Sequence, residues 1–509
     1  MKDRVSLHPN RYKLTPVNGQ ADTYDLSRAD EPLEAGTPIT KATMFDDVIA
    51  DKMGLTPENG TPNNGFKKID NRVDRLDLFK IGDIRTTVKD DLGDDYLLCN
   101  GSIIRRSDYP ELCQYNALQF AKFFSGYTVE TGEESNYNLD YCASKLGAVY
   151  VDGKWVFAGN TNYYGRIVVT ENPEDESSWQ VNKLNYSYYL NDICYGGKGV
   201  WVVSRSQWND YDACVMIAND PLGSWTTKSI SDISAGNVGK IATNGNGVFC
   251  AVADRGYSGA NQHRIVYSLD NGATWTCKQP VTSDATINWK DIAYGNGMWV
   301  MIGSRTKYLS GQNRSAPIMA YATAPNATWT LVTLEDYAIN GGDGNSLNDI
   351  IYANGKWLIT AHRNETTDES YNYRWYFTTF TFDNNSINAP KKKTMDLGVH
   401  YSYGTNDYSA FLSYHSLIYC NNKFMALGDE MIFEIDDPAT GEWAMQKIKI
   451  GNTSNSYSME NCAMTDGTRW LSALGSYGYV TSECRHLPTI SMDDSYTYIK
   501  AKESNDGYK

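Results

Sequence analysis

The residues best placed to do chemistry are arginines, aromatics and carboxylates. Arg205, Arg255, Arg305 and Arg363 each follow a short apolar segment, and arginines recurring in this way can hold a carboxylate or another anion. Aromatics gather with hydrogen-bonding residues in five polar stretches: Asn162-Tyr163-Tyr164, 207 to 211 (QWNDY), 257 to 263, 308 to 314 and 364 to 373. Rings that stack on sugar faces, beside Asn, Asp and Arg that hold hydroxyls, form a common glycan-binding arrangement. The ligand-binding candidates are Tyr163, Tyr164, Trp208, Tyr211, Tyr257, Tyr308, Arg305, Arg363, Tyr371 and Tyr373. Tyrosine also suits half-buried strands, and polar loops are often only solvated, so both readings stay open at each position.

Other chemistries have no foothold. The six histidines (8, 263, 362, 400, 415 and 486) are too dispersed for a metal site by spacing, and the ten cysteines occur singly without a CxxC pair. No GxSxG, Walker, GxGxxG or HExxH context occurs. Carboxylates are plentiful, but a catalytic pair cannot be chosen without geometry. No catalytic residue, metal ligand or cofactor is assigned.

Charge narrows the partners. The 509 residues carry a net charge of −15, and the longest basic run is Lys391-Lys392-Lys393, so no basic face for phosphate neutralisation is expected. Nucleic acid is excluded as a partner. The first residues (MKDRVSLH) lack the apolar core of a secretory leader, and no apolar run is long enough to span a bilayer. The expectation is a soluble protein without membrane insertion. Cys194, Cys250 and Cys420 sit in apolar runs as small hydrophobes, which fits reduced thiols and folding in a bacterial cytoplasm.

The elements that must position these residues come from a repeat. A unit of apolar residues, a Gly/Asn/Asp turn and an aromatic followed by apolar residues recurs seven times, with its aromatic at Trp155, Trp201, Phe249, Trp299, Trp357, Phe424 and Trp470. The spacings are 46, 48, 50, 58, 67 and 46 residues. Asn-Gly and Asp-Gly supply the positive φ of tight hairpins, and continuous apolar runs on either side predict strands buried on both faces. A second signal follows most copies: a strand, a polar turn and a Trp opening another strand, at Trp179, Trp225, Trp275, Trp329 and Trp443. Two hairpins per period of roughly 45 to 50 residues make a four-stranded sheet of the size of a propeller blade. The predicted fold is mainly β: a seven-bladed β-propeller at 123–485, its closure completed by a strand at 123–131, unless that segment is a linker.

The rest of the chain reads as a stem. Residues 1–65 form a polar extended arm with a helix at 37–53, capped by Thr37 with Pro38 at the first helical position. A second helix at 66–78, within a segment 66–80, carries Phe66, Ile69, Val73 and Leu76 in the steps of a short coiled-coil seam. Such a seam serves a trimer or packs on its own chain. A small β-rich domain is split between 81–122 and 486–509.

Residues 8–55 (HPNRYKLTPVNGQADTYDLSRADEPLEAGTPITKATMFDDVIADKMGL) resemble the N-terminal region of tail proteins of phages and prophages of Firmicute-type bacteria. Residues 81–112 resemble the opening of a phage tail-collar-type domain, through Gly82-Asp83-Ile84, Leu98-Cys99-Asn100-Gly101 and Tyr109-Pro110-Glu111-Leu112. The usual close of that domain is similar to 487–491 (LPTIS) and 496–501 (YTYIKA), so the propeller stands as an insertion within it. The Ser268, Asp270, Gly272 and Trp275 pattern resembles the Asp-box of sialidases, a folding element and not a catalytic one. Sialidase-like enzymes also use an arginine triad and a Tyr/Glu pair, which cannot be recognised here.

These resemblances imply a virion protein made in the host cytoplasm: a homotrimeric, non-enzymatic tail fibre or tail-tip receptor-binding protein. Its partners would be tail or baseplate proteins and a host cell-surface saccharide or protein. The alternatives are a tail-borne glycoside hydrolase, sialidase-like or a depolymerase, and a purely architectural tail component.

Overall fold

The computed structural model describes short strands between residues 5 and 34 and most of residues 80–502. Outside the described residues lie 35–79, 124–146, 503–509 and the loops 88–91, 115–118, 207–211, 255–263, 282–286, 336–345, 367–371, 402–414, 451–458 and 491–495, with shorter gaps. The chain divides into two compact units, 1–83 with 503–509, and 84–502. In the first, Val5–Ser6 pairs with Pro32–Glu34 and Tyr12–Pro16 with Tyr24–Arg28. The helices expected at 37–53 and 66–78 fall outside the described residues. Among the described residues there is no α-helix; two single 3-10 turns, Leu112–Gln114 and Glu176–Ser178, are the helical elements.

The second unit is built mainly of antiparallel four-stranded sheets in chain order, the second and third of them joined edge to edge by one parallel pairing, Ser231 with Thr276. The first has strands Gly147–Val151, Lys154–Thr161, Tyr164–Thr170 and Gln180–Tyr186. The second has Tyr189–Tyr195, Trp201–Ser206, Asp212–Ala218 and Thr226–Ser234; the third Asn237–Thr243, Phe249–Asp254, Arg264–Ser268 and Thr276–Lys278. The fourth comprises Ile287–Gly295, Met298–Leu309, Gln312–Ala322 and Thr330–Thr333, and the fifth Ser346–Ala353, Lys356–Thr366, Asn372–Phe382 and Lys391–Tyr401. The sixth has Ser416–Cys420, Lys423–Gly428, Met431–Ile435 and Ala444–Lys447. The seventh takes Ala463–Thr465, Trp470–Ala473 and Tyr479–His486 from the end of the repeats. Its further strand, Gln119–Phe123, comes from upstream and pairs with Tyr479–His486. The upstream strand thus lies just before the expected 123–131, because the register sets Phe123 opposite Tyr479 and runs back from there to Gln119; 124–131 is outside the described residues.

The local chemistry is that of the repeat. Asp152-Gly153, Asn296-Gly297 and Asn354-Gly355 all have positive φ, between 47° and 81°, at the tips of their first hairpins. The seven aromatics that follow the turns are each at most 4% exposed. In five sheets the ring packs against an aromatic at the end of the strand before the turn, with Tyr150–Trp155 at 4.7 Å and Tyr352–Trp357 at 5.0 Å between centroids. The Trp-led fourth strands share another device. The indole N–H of Trp179, Trp225, Trp275 and Trp329 donates to a carbonyl of the preceding turn at 3.0–3.2 Å, fastening turn to strand.

The core lies between sheets rather than within any one of them. Val156 and Ile167 meet Trp201 and Val203; Val202 meets Phe249 and Trp275; Val252 meets Trp299; Ile302 meets Trp357. The series continues with Phe377 against Phe433 and with Met425 against Trp470. It returns to its start where Leu471 and Tyr479 of the seventh sheet meet Trp155 and Phe157 of the first. Each sheet is therefore covered on both faces by its neighbours, a propeller-like arrangement that explains apolar runs in place of strict alternation.

Both ends of this unit interleave. Tyr496–Lys500 is the middle strand of a three-stranded sheet between Ile84–Thr87 and Tyr96–Leu98. Ile103–Arg105 pairs with Cys484–His486, and Leu487 N–H donates to the Ser102 carbonyl at 2.9 Å.

Sheet contact is closest where side chains are absent. A Cβ on Gly295 would stand 2.1 Å from the Tyr352 ring of the next sheet. Gly295→Ala is expected to lower stability by about 1–3 kcal/mol through overpacking, read as a shift in the urea unfolding midpoint. An unchanged midpoint would mean that the fourth and fifth sheets are not packed this closely.

Candidate functional site

The most concentrated chemistry of the described residues lies on the first strands of the sheets. Asp192, Asp291 and Asp349 occupy equivalent places, each at a shift of register in its strand pairing. Such bulges redirect a side chain, and here the carboxylate reaches the neighbouring sheet. Asp192 accepts the Ile193 N–H on one oxygen and the Ile241 N–H of the third sheet on the other, both at 2.9 Å. Asp291 accepts Ile292 N–H at 2.7 Å and Ile350 N–H of the fifth sheet at 3.2 Å. Asp349 accepts Ile350 N–H and, from the sixth sheet, Leu417 N–H, each at 2.7 Å. Ser416 continues the pattern by accepting Ala463 N–H at 3.1 Å.

Electrostatics here follow from crowding. Burial pushes the Asp291 carboxyl well above the usual carboxylate range; the Asp349 carboxyl, with which it shares a hydrogen bond, adds to this, and Lys240 opposes it. Burial also raises Asp192, again against Lys240. Lys240 Nζ lies 3.9 Å from Asp192. Burial alone would lower the Lys240 ammonium, but Asp192, Asp291 and Asp349 outweigh it and hold Lys240 above its ordinary value. Burial lowers Lys290, whose Nζ reaches the Asn348 side-chain oxygen at 3.4 Å. Asn348 in turn meets His362 at 3.2 Å and His415 at 3.5 Å, and His415 meets the Thr360 hydroxyl at 2.8 Å. With both oxygens of each aspartate engaged by main-chain N–H groups, these carboxylates join strands and do not stand ready as general acids or bases.

The Asp-box candidate is a closed turn. Ser268 Oγ donates to Asp270 at 2.8 Å and accepts the Gly272 N–H at 2.9 Å. Asp270 accepts the Thr274 N–H at 2.9 Å, and Trp275 packs 5.9 Å from Phe249 while donating to the Gly272 carbonyl. Burial raises the Asp270 carboxyl, but the hydrogen bonds from Thr274 and Ser268 together outweigh it and set the group below its usual value.

The ligand candidates are distributed around strand ends. Tyr163, Trp208, Tyr211, Tyr257 and Tyr371 lie outside the described residues. Tyr164 opens the third strand of the first sheet opposite Thr161; Arg363 pairs with Tyr376, and Tyr373 with Thr366 and His400. Tyr308 is 71% exposed on the second strand of the fourth sheet, opposite Asn313. Arg305 stands opposite Ile287 and Ala316 and is half-buried. Of the recurrent arginines, Arg205 is only 5% exposed, and Arg255 is outside the described residues. The first-strand aspartates were not singled out from sequence. Their signal is the Asp-Ile step that precedes three of the repeat copies, Asp192-Ile193, Asp291-Ile292 and Asp349-Ile350.

No family model matches the chain, and no curated protein matches it. Among solved structures it is similar to an α-L-arabinofuranosidase from Fusarium graminearum, at 10% identity over 74% of this chain and 98% of that one, with a TM-score of 0.38. It is also similar to the extracellular domains 1-2 of Drosophila semaphorin 1b, at 8% identity over 73% and 87% of the two chains, TM-score 0.41. Likeness at this level carries no inference about activity or ligand.

The Asp291–Asp349 pair makes a directional prediction. A carboxyl raised in the folded state contributes stability at acid pH, lost as pH rises through the folded value. Asp291→Asn keeps a donor toward Asp349, and Ile350 N–H retains its 2.7 Å bond to Asp349. This variant should therefore show a flatter pH dependence of unfolding above the ordinary carboxylate range than the native chain. Asp349→Asn can accept only one of the Leu417 and Ile350 N–H groups, and if it keeps Leu417 it leaves Ile350 with just the longer 3.2 Å bond to Asp291, which should cost about 1 kcal/mol. Equal effects of the two substitutions on urea unfolding would contradict this assignment.

Proposed function

We propose that the seven sheets are the blades of a seven-bladed β-propeller inserted in a split, collar-like domain, and that the protein is a phage tail fibre or tail-tip receptor-binding protein. In this reading the N-terminal region attaches to the tail or baseplate, the chain trimerises, and loops on one propeller face bind a host-surface saccharide or protein. The insertion reading is supported by the pairing of Tyr496–Lys500 with Ile84–Thr87 and Tyr96–Leu98, which brings the two collar-like segments into one sheet across the repeats. The closed series of inter-sheet cores supports the seven-bladed count.

One observation carries attachment over catalysis. The described first-strand carboxylates are taken up in joining sheets, whereas Tyr308, among the binding candidates, is 71% exposed near the end of its strand. An exposed aromatic on a rigid hairpin is suited to stacking on a sugar or a protein side chain. Three weak sites on one trimer would act together through avidity.

The labelled full chain is expected to bind cells of a susceptible Gram-positive strain and to release no new reducing ends from their wall polysaccharide. Tyr308→Ala combined with Trp208→Ala should weaken cell binding by about tenfold or more with an unchanged melting midpoint. Accumulating reducing ends would favour the hydrolase, and absence of cell binding by the native chain would favour an architectural component.

A further inference from the structure

The register shifts in the first strands of the fourth and fifth sheets leave one residue of each outside the pairing. These are Lys290, between Trp289 and Asp291, and Asn348, between Leu347 and Asp349. A bulge re-aims the side chain it carries, and these two meet across the boundary between the sheets, 58 residues apart in the chain. Lys290 Nζ stands 3.4 Å from Asn348 Oδ1. Asn348 Cγ is one carbonyl bond, about 1.23 Å, from that oxygen. A small turn of the lysine side chain therefore brings its amine to the roughly 3–3.5 Å of a near-attack contact with the carbonyl carbon.

The groups around this pair are those that acyl transfer between them needs. An amine attacks a carboxamide in its neutral form. Solvent reaches part of Lys290, yet protein surrounds its amine, and this burial lowers the ammonium below its ordinary value against the opposing carboxyls of Asp291 and Asp349. An amide oxygen only accepts, so His362 Nδ1, 3.2 Å from Asn348 Oδ1, donates to it and is placed to steady the charge that this oxygen gains in the reaction. His415 Nδ1 lies 3.5 Å from Asn348 Nδ2, the nitrogen that leaves. Since the amide nitrogen donates, His415 presents an acceptor there and keeps its Nε2 hydrogen toward the Thr360 hydroxyl at 2.8 Å. Asn348 is 7% exposed and His415 1%, which limits the access of competing water.

The geometry points to Lys290 and Asn348 as the two ends of an isopeptide bond that the folded chain makes with itself, tying the fourth sheet to the fifth. Lys290 Nζ adds to Asn348 Cγ while the carbonyl electron pair moves onto Oδ1, held by His362. The proton lost by Nζ passes to His415 Nδ1 and from there to Nδ2. The pair on Oδ1 then re-forms the carbonyl, the Cγ–Nδ2 bond breaks, and ammonia leaves. A primary amine and a carboxamide become a secondary amide and ammonia; nothing is oxidised or reduced, and no co-reactant is consumed. The bond follows folding, because only the assembled sheets bring the two bulges together. It closes a long loop and so restricts the unfolded chain as a disulfide does, without being open to reduction. The inference is independent of the attachment reading.

Intact-mass spectrometry of the full chain tests this. The expected mass is that of the sequence less one ammonia, and a protease digest should contain a branched peptide joining Lys290 to Asn348. Lys290→Arg keeps the positive charge but supplies no amine nucleophile; it should have its full sequence mass and a lower melting midpoint than the native chain. His415→Leu leaves both reacting groups in place and should form the bond at least about a hundredfold more slowly, so that the freshly purified variant retains its ammonia. Full sequence mass in the folded native chain, with Lys290 recovered in linear peptides, would overturn the proposal whatever the variants do. An ammonia loss that persists in Lys290→Arg lies elsewhere in the chain and overturns the assignment equally. Bond formation in His415→Leu at the native rate would remove His415 from the proton path.

Discussion

A carboxylate that accepts one N–H from its own strand and one from the next sheet is the constraint on which the rest of this structure depends. Hydrophobic burial brings neighbouring sheets together but has no direction along a strand. The Asp192 bridge to Ile241, and those of Asp291 to Ile350 and Asp349 to Leu417, fix how far one first strand slides against the next. Crowding three carboxylates requires countercharge, which Lys240 supplies, and pushes the Asp291 carboxyl well above its usual range.

Outside that seam, recurring local devices shape each sheet. Positive-φ turns close the first hairpin, an aromatic pair packs behind it, and an indole N–H fastens the turn before the fourth strand. None of these would hold a four-stranded sheet alone, since each sheet's apolar faces are covered by its neighbours' residues. The pairing of Gln119–Phe123 with Tyr479–His486 then ties the beginning of the repeats to their end.

Much of this was legible in the sequence because it is local. Asn296-Gly297 before Trp299 fixes a turn and a strand within a few residues, and the Trp-led segments at 225, 275 and 329 do precede fourth strands. The carboxylate bridges were not legible, because Asp291 finds its second partner 59 residues away in another sheet and an Asp-Ile step has no meaning until the sheets are assembled. The same holds for the strand that joins the repeats upstream: it is expected at 123–131 from sequence, and only its pairing with Tyr479–His486 places it at Gln119–Phe123. Arg205 reads as a candidate anion ligand by recurrence, yet it is buried, because the same recurrence places it against the neighbouring strands. The binding candidates at Trp208, Tyr257 and Tyr371 rest on sequence alone.

An experimental density map of residues 80–502 bears most directly on the sheets' closure. A closed ring requires Gly147–Val151 to lie beside Ala463–Thr465, with Asp192, Asp291 and Asp349 each bridging to the next sheet around a common axis. Sheets stacked in an open row, with Trp155 and Tyr479 on separate surfaces, would contradict it.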